Sequence, residues 1–290
     1  MLAALKFLFA TLILVINTLV LCSSMIPFAL AKLILPVTAV RHVCDRALMG
    51  IAALWMDINT FWLDTVNPVR WDVTGIEGLD PQGWFLVASN HQTWVDILVL
   101  QRVFNRRIPM LKFFTKKELI YVPVIGLAWW ALDFPFMQRK GGASARADLA
   151  AGRKACEKFR LVPTSVMSFV EGTRFTPAKH AQQKSPYRHL LKPKVGSLSM
   201  ALETLGDAFT GYLDVTIVYP QGAPTFTDAL CGRIPEVVVR AQLRSIPPQA
   251  LPANGEPAPR APVQAWINEL WQAKDEEITQ ILASKKATGA

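Results

Sequence analysis

The chain has 290 residues, of which 51% are hydrophobic and 18% charged, and its mean hydropathy is +0.26. Soluble domains average about a quarter charged residues, so this composition argues against an ordinary soluble protein and excludes a disordered one. A formal net charge of +9, from 31 Lys+Arg against 22 Asp+Glu, favours anionic partners, and the apolar composition turns that preference toward lipid.

From Phe7 to Ala31 there are 25 residues without a charge. About twenty of them precede Pro27, close to the ~30 Å needed to cross hydrocarbon at about 1.5 Å per residue. Ala29-Leu30-Ala31 has the small-x-small form of a signal-peptidase site, but the apolar core exceeds the usual ~7–15 residues. Lys32, Arg41 and Arg46 follow at once, and basic flanks resist translocation. The segment therefore reads as a retained anchor with the rest of the chain on the cytoplasmic side, which in a bacterium means the inner membrane. A single spanning helix and a hairpin bending at Pro27 fit equally well. Leu48, Ile51, Trp55, Ile58 and Trp62 then recur every three or four residues, an amphipathic helix that either packs in a core or lies at an interface.

After Asn67-Pro68 short β-rich runs alternate with helical stretches. The expected strands are Trp71–Ile76, Phe85–Ser89, Ile108–Phe113, Asp133–Gln138, Ser165–Val170, Asp214–Tyr219 and Glu236–Gln242. The expected helices are Val95–Phe104, Ser144–Phe159 and Val195–Leu205. Such alternation argues for an α/β layer fold around one sheet. Six prolines between Ser245 and Pro262 mark an irregular strap. Val263–Ser284 then reads as a helix that packs on the domain through Trp266, Ile267, Leu270, Ile278, Ile281 and Leu282, with Asp275-Glu276-Glu277 on its other side. The boundaries drawn are 1–66 for the anchor and amphipathic region, 67–244 for the α/β domain, and 245–290 for the strap and terminal helix. Cys22, Cys44, Cys156 and Cys231 are scattered, with no C-x-x-C and no His at zinc spacing, so neither a disulfide framework nor a metal site is expected.

Chemistry concentrates at two strand exits. His91 and Asp96 are five residues apart, a spacing that separates them on a regular helix and on a strand alike. They meet only if the chain turns between them, with His91 leaving the strand and Asp96 in the first helical turn. Asp96 can then hold one imidazole nitrogen and leave the other free as a general base. The second exit is Phe169-Val170-Glu171-Gly172-Thr173-Arg174: an acid, a glycine permitting close approach, a hydroxyl and a guanidinium suit an oxyanion or phosphate. Between Ile97 and Arg160 lie 13 Lys/Arg against 4 Asp/Glu, including Lys116, Lys117 and Arg139. This excess is either a solvated basic face or part of an acidic-ligand site.

His-x4-Asp followed some eighty residues later by Phe-x-Glu-Gly-Thr-Arg resembles the glycerophospholipid acyltransferases typified by 1-acylglycerol-3-phosphate acyltransferase. Lys116-Lys117-Glu118-Leu119 with Pro123 and Gly126, Arg139, Lys192-Pro193-Lys194-Val195-Gly196 and Val215–Pro220 resemble further blocks of that family. Phe134–Met137 and Asp228–Gly232 are more similar to its lysocardiolipin acyltransferase-like branch, and Val170 stands where the family usually has proline. The resemblance implies a single α/β acyltransferase domain with a central mixed sheet flanked by helices, preceded by a membrane-anchoring helical segment. It implies His91 as the base that deprotonates an acceptor hydroxyl, with Asp96 orienting it. Glu171, Gly172, Thr173 and Arg174 would bind the acceptor, Arg174 and Lys116 would face its phosphate, and Arg139 would assist. The implied donor is acyl-CoA or acyl-carrier protein and the acceptor a lysophospholipid at a bilayer, with no metal or cofactor. A non-catalytic lipid-binding protein is the rival from another class, and it would need neither His91 nor Asp96. Nucleic-acid binding has no supporting motif, and a hydrolase would lack a G-x-S-x-G elbow.

Overall fold

The structure is a computed structural model, describing residues 1–35, 37–134, 136–137, 157, 159–252 and 260–287. It opens with three helices, α1 (Leu2–Ser24), α2 (Ile26–Ile34) and α3 (Thr38–Val66). The α/β body follows, with strands β1 (Arg70–Thr74), β2 (Phe85–Ser89), β3 (Leu111–Phe113), β6 (Ser165–Phe169), β7 (Gly211–Val218) and β8 (Glu236–Arg244) in one six-stranded sheet. Their order is β1-β8-β7-β2-β6-β3. β7 and β8 pair antiparallel and every other neighbouring pair is parallel, so the sheet is mixed.

All five residues of β2 and all eight of β7 are buried, as expected for strands covered on both faces. Side chains alternate between the two faces. Phe85, Val87, Leu213, Val215 and Ile217 join a core with Trp62 and Leu63 of α3 and the inner residues of α4 (Val95–Phe104). Leu86, Ala88, Tyr212 and Val218 join a second core beneath α7 (Gly196–Leu205) and the terminal helix α9 (Arg260–Ala287). Fully burying a Val, Leu, Ile or Phe side chain here contributes about 1.5–3 kcal/mol. The fold is thus three-layered, with helices on both faces of the sheet.

Leu2–Ile34 is long and apolar enough to cross a membrane by length and composition. α1 nevertheless lies antiparallel against α3 along its length. Lys6 Nζ donates to the Val66 carbonyl at 2.7 Å near one end, and farther along Asn17 Nδ2 donates to Asn59 Oδ1 at 3.1 Å and to the Trp55 carbonyl at 3.0 Å. Leu8, Leu12, Val15, Ile16 and Leu19 remain exposed. At the far end of the hairpin, Lys32 bridges Asp45 at 2.6 Å and Asp133 at 2.9 Å. Trp62 is fully buried in the sheet core and Trp55 donates to Thr18 Oγ1, so both tryptophans of the amphipathic stretch face protein, the core-helix alternative.

Several expected elements shift. Of the strand expected at Asp133–Gln138, the described residues hold β5 (Phe136–Met137), paired with β4 (Thr115–Lys116) in a separate ribbon. Asp133 cannot start it, because its φ of +57° places it in a left-handed turn after α5 (Ile125–Ala131). The helix expected at Ser144–Phe159 lies almost wholly outside the described residues. Three short helices add to those expected from periodicity: α5, α6 (Pro177–Gln183) and α8 (Phe226–Cys231).

One buried side chain joins the end of β2 to β7. Asn90 Nδ2 donates to the Ile217 carbonyl at 2.8 Å, and Asn90 Oδ1 accepts from the Ile217 amide at 2.9 Å. The side-chain amide thus serves as one further peptide unit of the ladder. Asn90→Ala leaves the buried Ile217 amide unpaired and its carbonyl with Gln92 Nε2 alone, so chemical denaturation should show a loss of roughly 1–3 kcal/mol. A loss under about 1 kcal/mol would mean that these groups find other partners.

Candidate active site

β2, β6 and β7 are parallel neighbours, with Ser89 level with Phe169 and Val215. Their carboxyl ends therefore open at one edge of the sheet, where ligands bind in open α/β folds. The segments leaving these ends are Asn90–Asp96, Val170–Arg174 and Tyr219–Pro224.

After His91 the chain turns, and α4 starts at Val95 with Asp96 in its first turn. The turn brings His91 Nδ1 to 2.8 Å from Asp96 Oδ2. The same oxygen accepts the Gln92 amide at 2.6 Å and the Thr93 amide at 2.9 Å, while Tyr219 Oη donates to Oδ1 at 2.7 Å. Asp96 is fully buried, so its charge is satisfied by four donors rather than by water. Burial and the neighbouring Asp96 charge push the Tyr219 phenol well above its ordinary value, which keeps its proton in place to donate. An acceptor at Nδ1 selects the tautomer with the proton on Nδ1. Nε2 then carries the lone pair, with no protein partner among the described residues. The imidazole is stacked on the Phe169 ring, centroids 3.8 Å apart and planes within 11°, so its orientation is fixed by two contacts at right angles.

Glu171 is also fully buried. Its Oε1 accepts the backbone amide of His91 at 2.8 Å and its Oε2 that of Leu191 at 2.9 Å. Burial pushes this carboxyl up to about 8, against the lowering effect of those two amides, and the Asp96 charge adds to the rise. Both oxygens are spent on backbone. Through the Oε1 contact the side chain braces the backbone of His91.

Gly172 has φ +69° and is exposed; a Cβ there would stand 3.3 Å from Lys194 Cδ in a strained backbone. Thr173 Oγ1 accepts from Lys179 Nζ at 2.7 Å, which leaves its own proton to donate. Arg174 is exposed, its guanidinium 4.9 Å from the centroid of the Trp94 ring. It does not pair with Glu171, whose carboxylate is committed elsewhere. Lys116 lies in β4, and its side chain falls outside the described residues, as does the whole of Arg139. Sequence reasoning missed Tyr219, Asn90, Lys179 and the Leu191 amide. Only Tyr219 left a signal, a phenol closing an apolar strand beside a charged strand exit.

Residues 70–220 match the family model described as Acyltransferase. The chain belongs to the acyltransferase family. This acyltransferase is 27% identical over 251 residues to lysocardiolipin acyltransferase 1 of Danio rerio, covering 82% of the chain and 61% of that protein. It is 28% identical over 203 residues to 1-acyl-sn-glycerol-3-phosphate acyltransferase delta of Mus musculus, covering 66% and 51%. The chain thus spans about half to just under two thirds of the length of the curated relatives it matches. Its fold is similar to that of the 1-acyl-sn-glycerophosphate acyltransferase PlsC from Thermotoga maritima, with a TM-score of 0.57 at 19% identity over 96% of this chain and 98% of that one.

The Glu171 carboxyl gives a stability test with a definite sign. Its folded value of about 8 lies above the ordinary 4.5, so the stabilisation it brings is full below 4.5 and is lost as pH rises through about 8. Glu171→Gln does not titrate and turns an amide NH2 toward a backbone donor, so it is less stable at low pH. Melting curves across pH should show the gap between wild type and variant narrowing from 4.5 to about 8. A gap that widens with pH would mean that the carboxylate form is the one the fold prefers.

Proposed function

We propose that the chain is a membrane-bound O-acyltransferase that moves a fatty acyl group from a thioester donor, acyl-CoA or acyl-carrier protein, to the free hydroxyl of a lysophospholipid. The favoured acceptor is 1-acyl-glycerol-3-phosphate, giving phosphatidic acid. The observation that carries this reading is the His91–Asp96 pair, with Nε2 poised as a base and Arg174 held nearby on Trp94. The acceptor hydroxyl gives its proton to Nε2 as its oxygen attacks the thioester carbonyl. Asp96 stabilises the imidazolium that forms. The tetrahedral intermediate collapses, the carbon–sulfur bond breaks, and the imidazolium proton passes to the departing thiolate. Arg174 binds the acceptor phosphate with its planar fork, aided by Lys116 and Arg139. Gly172 and Thr173 shape that contact, and Glu171 acts by positioning His91.

A second acceptor class, lysocardiolipin or lysophosphatidylglycerol, is supported by the similarity to lysocardiolipin acyltransferase 1 over 82% of the chain. The exposed apolar stripe of α1, from Leu5 to Leu19, supports membrane attachment. Because α1 packs along α3 rather than standing clear of the protein, attachment within one leaflet, with the site on the cytoplasmic face, is favoured over a crossing. Residues 1–66 then attach the enzyme, 67–244 carry the chemistry, and 245–290 close the fold.

His91→Ala should still fold but melt several degrees lower, because buried Asp96 loses one of its four donors, and turnover per folded molecule should fall about 10²–10⁴-fold, with Asp96→Asn also severely impaired. Steady-state assays of purified protein in detergent against a panel of lysolipids measure this, and activity of folded His91→Ala within a few-fold of wild type would sink the mechanism. Arg174→Ala should raise the acceptor KM roughly 10–150-fold, the equivalent of a ~1.5–3 kcal/mol charged hydrogen bond. Donor KM should change little and Arg174→Lys should recover part of the loss. An Arg174→Ala enzyme with unchanged acceptor KM and kcat would remove the guanidinium from the phosphate site.

A further inference from the structure

The terminal helix α9 makes a set of polar contacts that packing alone does not require. Asp275 is buried, although the acidic triplet it belongs to reads as solvent-facing. Its Oδ2 accepts the backbone amide of Arg188 and its Oδ1 that of His189, both at 2.8 Å. One turn earlier, the fully buried Trp271 donates from Nε1 to the Leu191 carbonyl at 3.0 Å. Between them, buried Lys274 anchors the helix to the sheet, with Nζ 2.7 Å from the Val215 carbonyl, 2.9 Å from Thr216 Oγ1 and 2.7 Å from Asp214 Oδ1. Residues 188–191 are therefore fastened at both ends by one helix.

That segment faces the active site. The peptide of Leu191 whose carbonyl takes the Trp271 proton belongs to the residue whose amide is donated to Glu171 Oε2, and Glu171 Oε1 holds the His91 amide. The path from α9 to the base thus runs through three hydrogen bonds of 3.0, 2.9 and 2.8 Å. Glu171, Trp271 and Leu191 are all essentially inaccessible to water, so no solvent competes for these partners and a displacement at one end is passed on rather than absorbed.

We infer that Asp275 and Trp271 are positioning residues of acyl transfer: they hold the Arg188–Leu191 segment so that Leu191 and Glu171 fix the backbone of His91 and aim its ring. This rests on the reading of His91 as the base. The helix that begins some 170 residues after His91 is then a working part of the active site, and neither residue touches substrate.

The test uses the full chain in detergent with the variants Trp271→Phe, which keeps an aromatic ring but removes the donor, and Asp275→Asn, which keeps the shape but turns an NH2 toward a backbone amide. Both should lose on the order of 10- to 100-fold in kcat, the scale of a misplacement near the reacting atoms, with donor and acceptor KM within about twofold of wild type. The chain has four histidines, His42, His91, His180 and His189, so ring resonances in histidine-labelled protein can be assigned by substitution. Both variants should displace the His91 resonance while leaving that of His42 in place. A lower melting temperature with unchanged kcat per folded molecule and an unmoved His91 resonance would overturn the inference and leave the contacts as packing alone. Trp271→Phe carries the decision if Asp275→Asn does not fold. His91→Ala in the same assay separates the two levels: if it stays active, the base itself is wrong and the inference falls with it. If it is inactive while both variants turn over like wild type, only the positioning role falls.

Discussion

A buried carboxylate with four donors organises the active edge of this protein. Asp96 has no access to water and accepts from the His91 ring, two consecutive backbone amides and the Tyr219 hydroxyl. Taking such a charge out of water costs several kcal/mol unless every lone pair is met. The turn from His91 to Thr93, the start of α4 and the end of β7 are arranged to meet them. The imidazole is one of four supports of that charge, and this ties catalytic geometry to stability. Any movement that frees the ring also strips a donor from a buried anion.

The second carboxylate is handled differently. Glu171 is equally buried but accepts from two backbone amides and, among the described residues, from no side chain, and burial pushes it up to about 8. Two acids side by side in the same layer thus serve separate ends. Asp96 holds the His91 ring, and Glu171 binds together the loops leaving β2 and β6 and the segment before α7. Asn90 performs the neutral version of the same task toward β7. Three side chains therefore lock three neighbouring strand exits, and the exposed groups at Gly172, Arg174 and Trp94 sit on that frame.

Much of this arrangement is legible in the amino-acid sequence, for physical reasons that differ by element. Phe85–Ser89 and Val95–Phe104 have the bounds expected, because a short β-rich run and a helix behind an early acid leave little choice. The meeting of His91 and Asp96 follows from a spacing that no regular element can satisfy without a turn. The mixed sheet is expected only through the family resemblance, since periodicity carries no strand order. Other features leave no trace in the pattern. Asp133 looks like a strand start, but its positive φ depends on the turn closing α5 and on the Lys32 bridge from a helix 101 residues away. Glu171 is expected at the ligand through the family resemblance; its burial goes with the Leu191 segment, whose amide it accepts, a contact that leaves no trace in the pattern. Asp275 sits in a run of three acids, and successive helical residues rotate by about 100°, so one of three can point inward without disturbing the pattern.

Acyl transfer as proposed depends on the His91 imidazole, held by Asp96, removing the acceptor proton. Its most direct test joins two titrations of the wild-type protein: the His91 ring resonance followed against pH, and kcat/KM for the lysophospholipid acceptor over the same range. Activity should fall on the acid side with the same midpoint at which the His91 ring takes up its second proton. An acid limb displaced from the His91 midpoint by more than about one pH unit, or activity that persists once that ring is protonated, would contradict it.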